Sequence, residues 1–565
     1  MAKMNGAEAI IACLEEAGCD TVFSYPGGAV LGIFEALRNS KQIKNVLTRT
    51  EQGATHAASG YARVSGKAGV CIATSGPGAT NLVTGLATAY MDSLPVIAIT
   101  GQVASTMIGT DAFQEIDITG ITRPIVKHSY LVTDVNELPQ VIKEAFYLAT
   151  TGRPGPVLID VPKNISDMEC TAEIPGTINL PGYKPTFKGH KLKIKNACKV
   201  LQEAKKPLIY AGGGVVSAGA EELLHELAHR LDAPVAVTLM GKSAYPFRDG
   251  YFIGMLGIHG APAANLAVTE CDVLLAIGAR FDDRVTANVA KFAQEATIIH
   301  VDVDPAEIGK NVPSDVPIVG DAAAIIRDML EFLQPAEHEA WRARIESWRP
   351  LTSDAYGEIT DSLRFRDVIG RLNSLTRGKV VVTTDVGQHQ MVAAQFFNSH
   401  RRRGFISSGG LGTMGYGFPS AVGAQLAAPD ELVVCVTGDG SFQMTMNELA
   451  TAKAHNLPIK VILSNNSNLG MVRQLQKYYV DNNYFGIDLE GNPNFEKIAE
   501  AYDMAYYRLE NSQDIDAVLA DALANGRLTL VECIIPKEEM VYPMVLSGHG
   551  LDDMVVESNN TPARE

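Results

Sequence analysis

Residues Leu432–Met471 read LVVCVTGDGSFQMTMNELATAKAHNLPIKVILSNNSNLGM, and the fold follows from them. An apolar run of strand length, Leu432 to Val436, ends in Gly438-Asp439-Gly440. A helical pattern is predicted from Gln443 to His455, with Met444, Met446, Leu449, Ala450 and Ala454 on its apolar face. A second buried-type strand, Ile459 to Leu463, ends on Asn465-Asn466. Strand, helix, strand makes a right-handed crossover, so both polar ends emerge at one carboxyl edge of a parallel sheet. Asp439 and Asn466, 27 positions apart, are thereby expected side by side. A carboxylate, an amide oxygen and a nearby backbone carbonyl suit Mg2+, which takes its remaining oxygens from water and a phosphorylated ligand. Gly438 and Gly440 let the backbone approach such a phosphate.

The rest of the chain is compatible with this reading. Its 565 residues suffice for three or four domains, and 46% hydrophobic with 20% charged residues is ordinary globular composition. A net charge of −16 argues against nucleic acid, so anionic ligands must rely on local cations and helix N-termini. Cys13, Cys19, Cys71, Cys170, Cys198, Cys271, Cys435 and Cys533 form no CxxC pair and read as buried, reduced thiols. Glu8, Glu15 and Glu16 interrupt any signal-like start, and no apolar run is long enough to span a bilayer. The expectation is a cytoplasmic protein.

Three α/β units are predicted, each a doubly wound, mostly parallel sheet. The first, residues 1–170, has an amphipathic helix at Gly6 to Ala17 and strands at Thr21 to Ser24, Val70 to Ala73, Val96 to Thr100 and Val157 to Val161. Residues 171–191 are rich in Pro and Gly and read as a linker. The second, residues 192–335, has strands at Pro207 to Tyr210, Val235 to Thr238, Val273 to Ile277 and Thr297 to Val301. A polar connector follows, with Trp341 and Trp348 as anchors. The third, residues 363–550, has strands at Val380 to Thr383, Leu432 to Val436, Ile459 to Leu463 and Leu528 to Ile534. The tail carrying Asn559, Asn560 and Thr561 reads as loose.

Further motifs narrow the function. A GDG followed by Asn-Asn at the end of the next strand is similar to the thiamin diphosphate signature. The segments SYPGG (24–28), TEQGATHAASGYAR (50–63), TSGPGATNLVTGLATAYMDSLPVIAITGQV (74–103) and IGTDAFQE (108–115) extend the likeness. So do GRPGPVLIDVPK (152–163), GARFDDRV (278–285), TDVGQHQM (384–391), GGLGTMGYG (409–417) and VYPMV (541–545). From about residue 5 to 550 the chain resembles the acetohydroxyacid synthase (acetolactate synthase) large-subunit family, thiamin diphosphate-dependent enzymes with pyrimidine-binding, FAD-type and diphosphate-binding domains in that order.

The resemblance implies a transferase of branched-chain amino acid biosynthesis. It decarboxylates pyruvate on thiamin diphosphate and joins the two-carbon unit to pyruvate or 2-ketobutyrate. It implies Glu51 as catalytic acid/base against the cofactor's aminopyrimidine, although by composition alone Glu51 is a surface glutamate. Ser93 and Gln114 would approach the reacting centre, and Lys163 would guard the access channel. Gln388, His389, Gly412, Thr413 and Met414 would line the thiamin site; a Met at 414 is otherwise a good core filler. Asp439, Asn466 and the backbone carbonyl of Asn468 would hold Mg2+. Asp439, Gly440 and Ser441 with Asn466, Leu469, Gly470 and Met471 would meet the diphosphate.

In the middle unit PLIYAGGGV (207–215) is a strand followed by glycines, short of a full GxGxxG, and a plain tight turn fits it equally. The resemblance implies FAD with no net redox role, held through Arg153, Gly212, Thr238, Leu239, Leu256, Gly257, Ile258, His259, Gly278, Ala279, Arg280, Phe281, Asp282, Asp302, Val303, Asp321 and Ala322. Arg284 would pair with a 2-keto acid carboxylate. Leu475 stands where many family members have Trp, and the expectation is weaker selectivity for 2-ketobutyrate and weaker herbicide sensitivity. Family precedent also implies a site between two subunits, a homodimer or homotetramer, and a small regulatory subunit. None of the twelve histidines adjoins another, against a simple decarboxylase, and Glu51 counts against glyoxylate carboligase. A flavin-coupled pyruvate oxidase and a catabolic acetolactate synthase stay open as alternatives.

Overall fold

The computed structural model describes residues 4–354 and 362–556. The tail residues Asn559, Asn560 and Thr561 lie outside them. Three six-stranded sheets carry the fold, and every strand pair within them is parallel. Their central strands are almost wholly buried and rich in Val, Ile, Leu and Ala, as sheets covered by helices on both faces require.

The first sheet runs Lys44–Leu47, Thr21–Tyr25, Gly69–Ala73, Val96–Gln102, Val157–Pro162, His128–Leu131. The third runs Phe405–Ile406, Val381–Thr384, Val433–Gly438, Lys460–Asn465, Thr529–Ile534, Ala505–Leu509. Counting strands within each unit, both have the order 2-1-3-4-6-5. The middle sheet runs Phe252–Met255, Val235–Val237, Pro207–Ala211, Val273–Ile277, Thr297–Asp302, Val316–Val319. That is 3-2-1-4-5-6, the order of dinucleotide-binding sheets. In such sheets ligands bind beyond the carboxyl ends where the order reverses.

No regular element lies between Cys170 and Lys191, as the linker reading expects. Trp341 and Trp348 are buried edge to face at 5.9 Å, and the Trp341 indole donates to the Pro207 carbonyl at 3.0 Å, anchoring the connector to the middle sheet.

One expectation needs correction. The helix after the GDG turn starts at Asp439, not Gln443, and breaks at a 3-10 turn, Met446–Glu448, before resuming as Leu449–Ala454. Met444 is 58% exposed, and Ala454 is exposed too, while Glu448 is buried. The break turns Glu448 toward the first unit, where it accepts from the backbone N–H of Arg49 (2.9 Å) and Thr50 (2.9 Å). Those amides precede the helix Glu51–Ser65, whose N-cap Thr50 also accepts from Gly53 N–H at 2.9 Å. Further along, the helix Glu51–Ser65 crosses the helix Gly417–Ala427 at small residues. A Cβ on Gly60 would collide with the Ser420 carbonyl, and one on Gly423 with the Ala57 carbonyl. First and third units of one chain are thus locked together along the whole of that helix.

Candidate active site

At the carboxyl edge of the third sheet, Gly438 pairs with Ser464, so Asp439 and Asn466 leave adjacent strands together. Asp439 is 2% exposed, and its Oδ2 accepts from Asn492 Nδ2 at 2.8 Å. Burial raises its pKa to about 6, against the lowering effect of that hydrogen bond. Asn466 Oδ1 accepts from Asn468 N–H at 3.0 Å, which orients the amide oxygen. Two helices begin here, Asp439–Thr445 and Gly470–Tyr479, and bring their free N–H groups to the same place. A Cβ on Gly440 would lie 2.9 Å from Leu469, and one on Gly470 would strike Gln388, so this cradle tolerates no side chains. Hard oxygens beside two helix N-termini fit a divalent cation carrying a diphosphate.

The neighbouring turn, residues 385–389, follows the first strand of the same sheet. Its Asp385 is fully buried, accepts from Gly415 N–H (2.7 Å) and Thr437 Oγ1 (2.9 Å), and is raised to about 6 by burial. These bonds fix the turn carrying Gln388 and His389 against the loop carrying Gly412 and Met414. His389 is held neutral, its pKa lowered by burial to about 3, and its Nε2 has no partner within the protein. Gly412 takes a left-handed φ of +72°, so its glycine is needed for the backbone alone. Gln388 donates to Gln474 Oε1 at 3.0 Å, and Gln474 in turn clamps Val541 through both its backbone groups. On the same helix Met471, Leu475 and Tyr479 recur every fourth residue and face one cavity.

That cavity, about 1370 Å³, extends without interruption to the carboxyl edge of the middle sheet. There the turns after Pro207–Ala211 and Val273–Ile277 meet at the switch point. Gly212 N–H donates to Ile277 (2.9 Å) and Gly214 N–H to Gly278 (3.1 Å). A Cβ on Gly212 would overlap the Gly278 carbonyl, so both glycines are required by a close crossing of backbones. The cavity wall includes Arg153, Thr238, Leu239, Leu256, Gly257, Ile258, His259, Gly278, Ala279, Arg280, Phe281, Asp282, Arg284, Asp302, Val303, Asp321 and Ala322. It also includes Ser93, Gln388, His389, Gly412, Met414, Asp439, Gly440, Ser441, Asn466, Asn468, Leu469, Gly470, Met471 and Leu475. The buried Tyr210 hydroxyl on this wall has no partner within the protein. A dinucleotide-type sheet edge with glycine turns and an unpaired hydroxyl fits FAD. Arg284 is exposed and makes only a loose 3.9 Å contact with Asp283.

Five residues expected here stand elsewhere. Gly212 lies behind the wall, under Gly278. Thr413 is outside the wall, its hydroxyl bonded to that of Thr88 at 2.7 Å. Glu51, Gln114 and Lys163 belong to the carboxyl edge of the first sheet. Glu51 is 8% exposed and accepts from Asn81 Nδ2 at 2.9 Å. Its Oε1 lies 3.3 Å from where a Gly78 Cβ would be, and Gln114 packs on Gly76 two residues earlier, so both touch one glycine turn. Lys163 is exposed at the start of the helix Lys163–Asp167. Ser93, expected with Gln114, is instead bound by Arg153 Nε at 2.8 Å, while Arg153 also reaches Glu307 at 2.7 Å. Glu51, Gln114 and Lys163 thus lie outside the wall of the cavity that includes Asp439 and Asn466. Asn492, Glu448 and Gln474 carry no role in the sequence reading, and Asp385 stands in TDVGQHQM (384–391) without a role of its own.

With fold and geometry in hand, the family can be stated. Three family models match: thiamine pyrophosphate enzyme, N-terminal TPP binding domain over residues 4–121, central domain over 194–329, and C-terminal TPP binding domain over 385–533. The class is thus that of thiamin diphosphate-dependent enzymes with three α/β domains. The chain is 45% identical to the acetolactate synthase isozyme 3 large subunit of Escherichia coli (strain K12), over 98% of this chain and 99% of that one. It is 48% identical to a probable acetolactate synthase large subunit of Methanocaldococcus jannaschii (98% and 95%) and 45% identical to that of Porphyra purpurea (98% and 95%). The chain belongs to the acetolactate synthase large-subunit family.

Proposed function

We propose that this chain is the catalytic subunit of an acetolactate synthase, active with thiamin diphosphate, Mg2+ and FAD. It decarboxylates pyruvate and joins the retained two-carbon unit to a second 2-keto acid, giving 2-acetolactate from pyruvate and 2-aceto-2-hydroxybutyrate from 2-ketobutyrate. The observation that carries this reading is the continuity of the oxygen-lined turn at Asp439 and the glycine crossing at Gly212–Gly278 in one cavity, in a chain alike to its relatives over its full length. Its functional domains span residues 1–170, 192–335 and 363–550.

Thiamin diphosphate, when bound, supplies the carbanion that adds to the keto carbon and the electron sink that lets carbon dioxide leave. The protein's part is placement. Asp439, Asn466 and the Asn468 carbonyl would hold Mg2+, and the N–H groups of Gly440 and Ser441 would receive the diphosphate, those of Leu469 and Gly470 being taken by the Ile487 and Asn468 carbonyls at 2.8 and 2.9 Å. Gln388, His389, Gly412 and Met414 would shape the thiamin end, with Thr413 holding their loop to Thr88 from behind. Glu51 exchanges a proton with the aminopyrimidine, Gln114 stands beside it, and Lys163 guards the entrance. Arg284 receives the 2-keto carboxylate as a planar fork, and Met471 and Leu475 face the second substrate.

The position of Glu51 outside the cavity wall that includes Asp439 supports a homodimer in which each site takes Glu51 from one copy and Asp439 from the other. Exposed apolar side chains beside each half-site, Phe113 (87%) and Phe485 (85%), fit burial in that interface. The relatives' description as large subunits supports a small regulatory partner. All eight cysteines are buried and free, which fits a reducing compartment; among the described residues no helix is long and apolar enough to cross a membrane.

The test is product analysis from pyruvate with the purified chain and all three cofactors, then with each omitted. Acetolactate that requires thiamin diphosphate and Mg2+ supports the proposal. Acetaldehyde, or peroxide formed with oxygen, would replace it with a decarboxylase or an oxidase.

A further inference from the structure

The middle unit carries a second cluster of ligand-type side chains, away from the cavity. His225 and His229, one turn apart on the helix Glu221–Leu231, both aim Nε2 at Asp249 Oδ2, at 3.0 and 2.9 Å. The three ligand atoms all lie within 4.8 Å of one another, and none of the three residues lines the cavity. The geometry is held from outside. Asp249 Oδ1 accepts from Tyr245 OH (3.0 Å) and Tyr251 N–H (2.9 Å), which leaves Oδ2 turned to the histidines. The His225 ring stacks on Tyr245 (5.7 Å), and the His229 ring meets Tyr251 edge to face (4.6 Å). Side-chain exposures of 42%, 45% and 14% leave the cluster reachable from solvent.

We propose that His225, His229 and Asp249 form a binding site for a divalent cation of the Zn2+ class, distinct from the Mg2+ site at Asp439. Two imidazoles and one carboxylate are the ligand set that Zn2+, Co2+ or Ni2+ prefers, whereas Mg2+ favours oxygen alone. Tetrahedral ligation at zinc's bond lengths separates ligand atoms by about 3.3 Å, so the two imidazole–carboxylate pairs need open by only about a few tenths of an ångström from 3.0 and 2.9 Å. Both imidazoles bind neutral, each moving its proton from Nε2 to Nδ1. Asp249, fixed through its other oxygen, is oriented as metal-binding carboxylates are. Three protein ligands leave one position for water. A bound ion ties the helix Glu221–Leu231 to the segment between Val235–Val237 and Phe252–Met255. That segment begins with Thr238–Leu239, and the strand Phe252–Met255 that follows it leads into Leu256–His259; both stretches are cavity wall.

The test uses the untagged full chain, saturated with Mg2+, thiamin diphosphate and FAD so that the oxygen site is filled. Zn2+ is titrated by calorimetry and Co2+ by visible absorption. One equivalent of Zn2+ per chain is expected, with the intense visible bands of tetrahedral Co2+. His229→Gln should weaken binding at least roughly tenfold, and the double variant His225→Gln/His229→Gln should abolish it, with basal activity and circular dichroism unchanged. Asp249→Asn, which keeps the Tyr251 hydrogen bond, should also weaken it. Absence of Zn2+ uptake by the wild-type chain would overturn the proposal, as would uptake that survives the double variant.

Discussion

The first and third sheets share one strand order, 2-1-3-4-6-5, yet their carboxyl edges carry different chemistry. In the third, the turns after central strands place Asp439 and Asn466 beside two helix N-termini, an edge made for a metal and phosphate. In the first, a glycine turn clears space and the helix after the edge strand Lys44–Leu47 presents a carboxylate, Glu51. On the proposed function, the same scaffold yields a half-site that grips and a half-site that moves a proton. The difference lies in the loops; the sheet order is common to both. The two units are packed together through the helix Glu51–Ser65, with Glu448 on the amides of Arg49 and Thr50.

The largest effects should come from breaking each edge separately. Asp439→Ala should abolish Mg2+-dependent cofactor binding, read by calorimetry, and with it activity. Glu51→Gln should lower kcat by about 10²–10⁴-fold while leaving Mg2+ and diphosphate affinity in place. Equal loss of cofactor affinity in both variants would erase the contrast. Next comes Glu448, which ties the two edges through Arg49 and Thr50. Glu448→Ala strands those partly buried amides and should cost about 1–3 kcal/mol in chemical denaturation, with a lower kcat. Glu448→Gln, which keeps one acceptor oxygen, should recover part of both.

Much of this contrast is legible in the sequence. The central strands announce themselves as unbroken Val/Ile/Leu runs, and the GDG and Asn-Asn turns sit where those runs end. Edge strands do not. Lys44–Leu47, His128–Leu131 and Ala505–Leu509 are short, partly exposed and carry polar residues, so no apolar run marks them. Glu448 reads as the polar face of a helix, because its role depends on a 3-10 break and on amides some 400 positions away. Asn492 and Gln474 likewise act through loops that only the tertiary fold brings near. Thr413 and Ser93 lie close to their expected places along the chain, but their hydroxyls are taken by Thr88 and Arg153.

Smaller effects sharpen the third-sheet side. Because burial raises Asp439 to about 6, protons compete with Mg2+ below that pH. Mg2+ affinity should hold above pH 7 and fall toward about tenfold per pH unit below 6, with the variant Asn492→Ala shifting the break upward by removing a bond to the ionised form. A flat profile between pH 5 and 7 would refute this. The smallest effect concerns Leu475, 40% exposed on the cavity side of its helix. Leu475→Trp adds a flat apolar face and should raise preference for 2-ketobutyrate over pyruvate, by roughly tenfold at most. Competition assays with both keto acids read it directly.

The most direct measurement is complementation. Glu51→Gln and Asp439→Asn chains, each inactive alone, are co-expressed and purified together. If each site joins Glu51 of one copy to Asp439 of another, random pairing leaves one intact site in every mixed dimer, and roughly a quarter of wild-type activity should return. Activity that stays at the level of the separate variants, with mixed dimers shown to be present, would place both half-sites within a single chain and contradict the shared site.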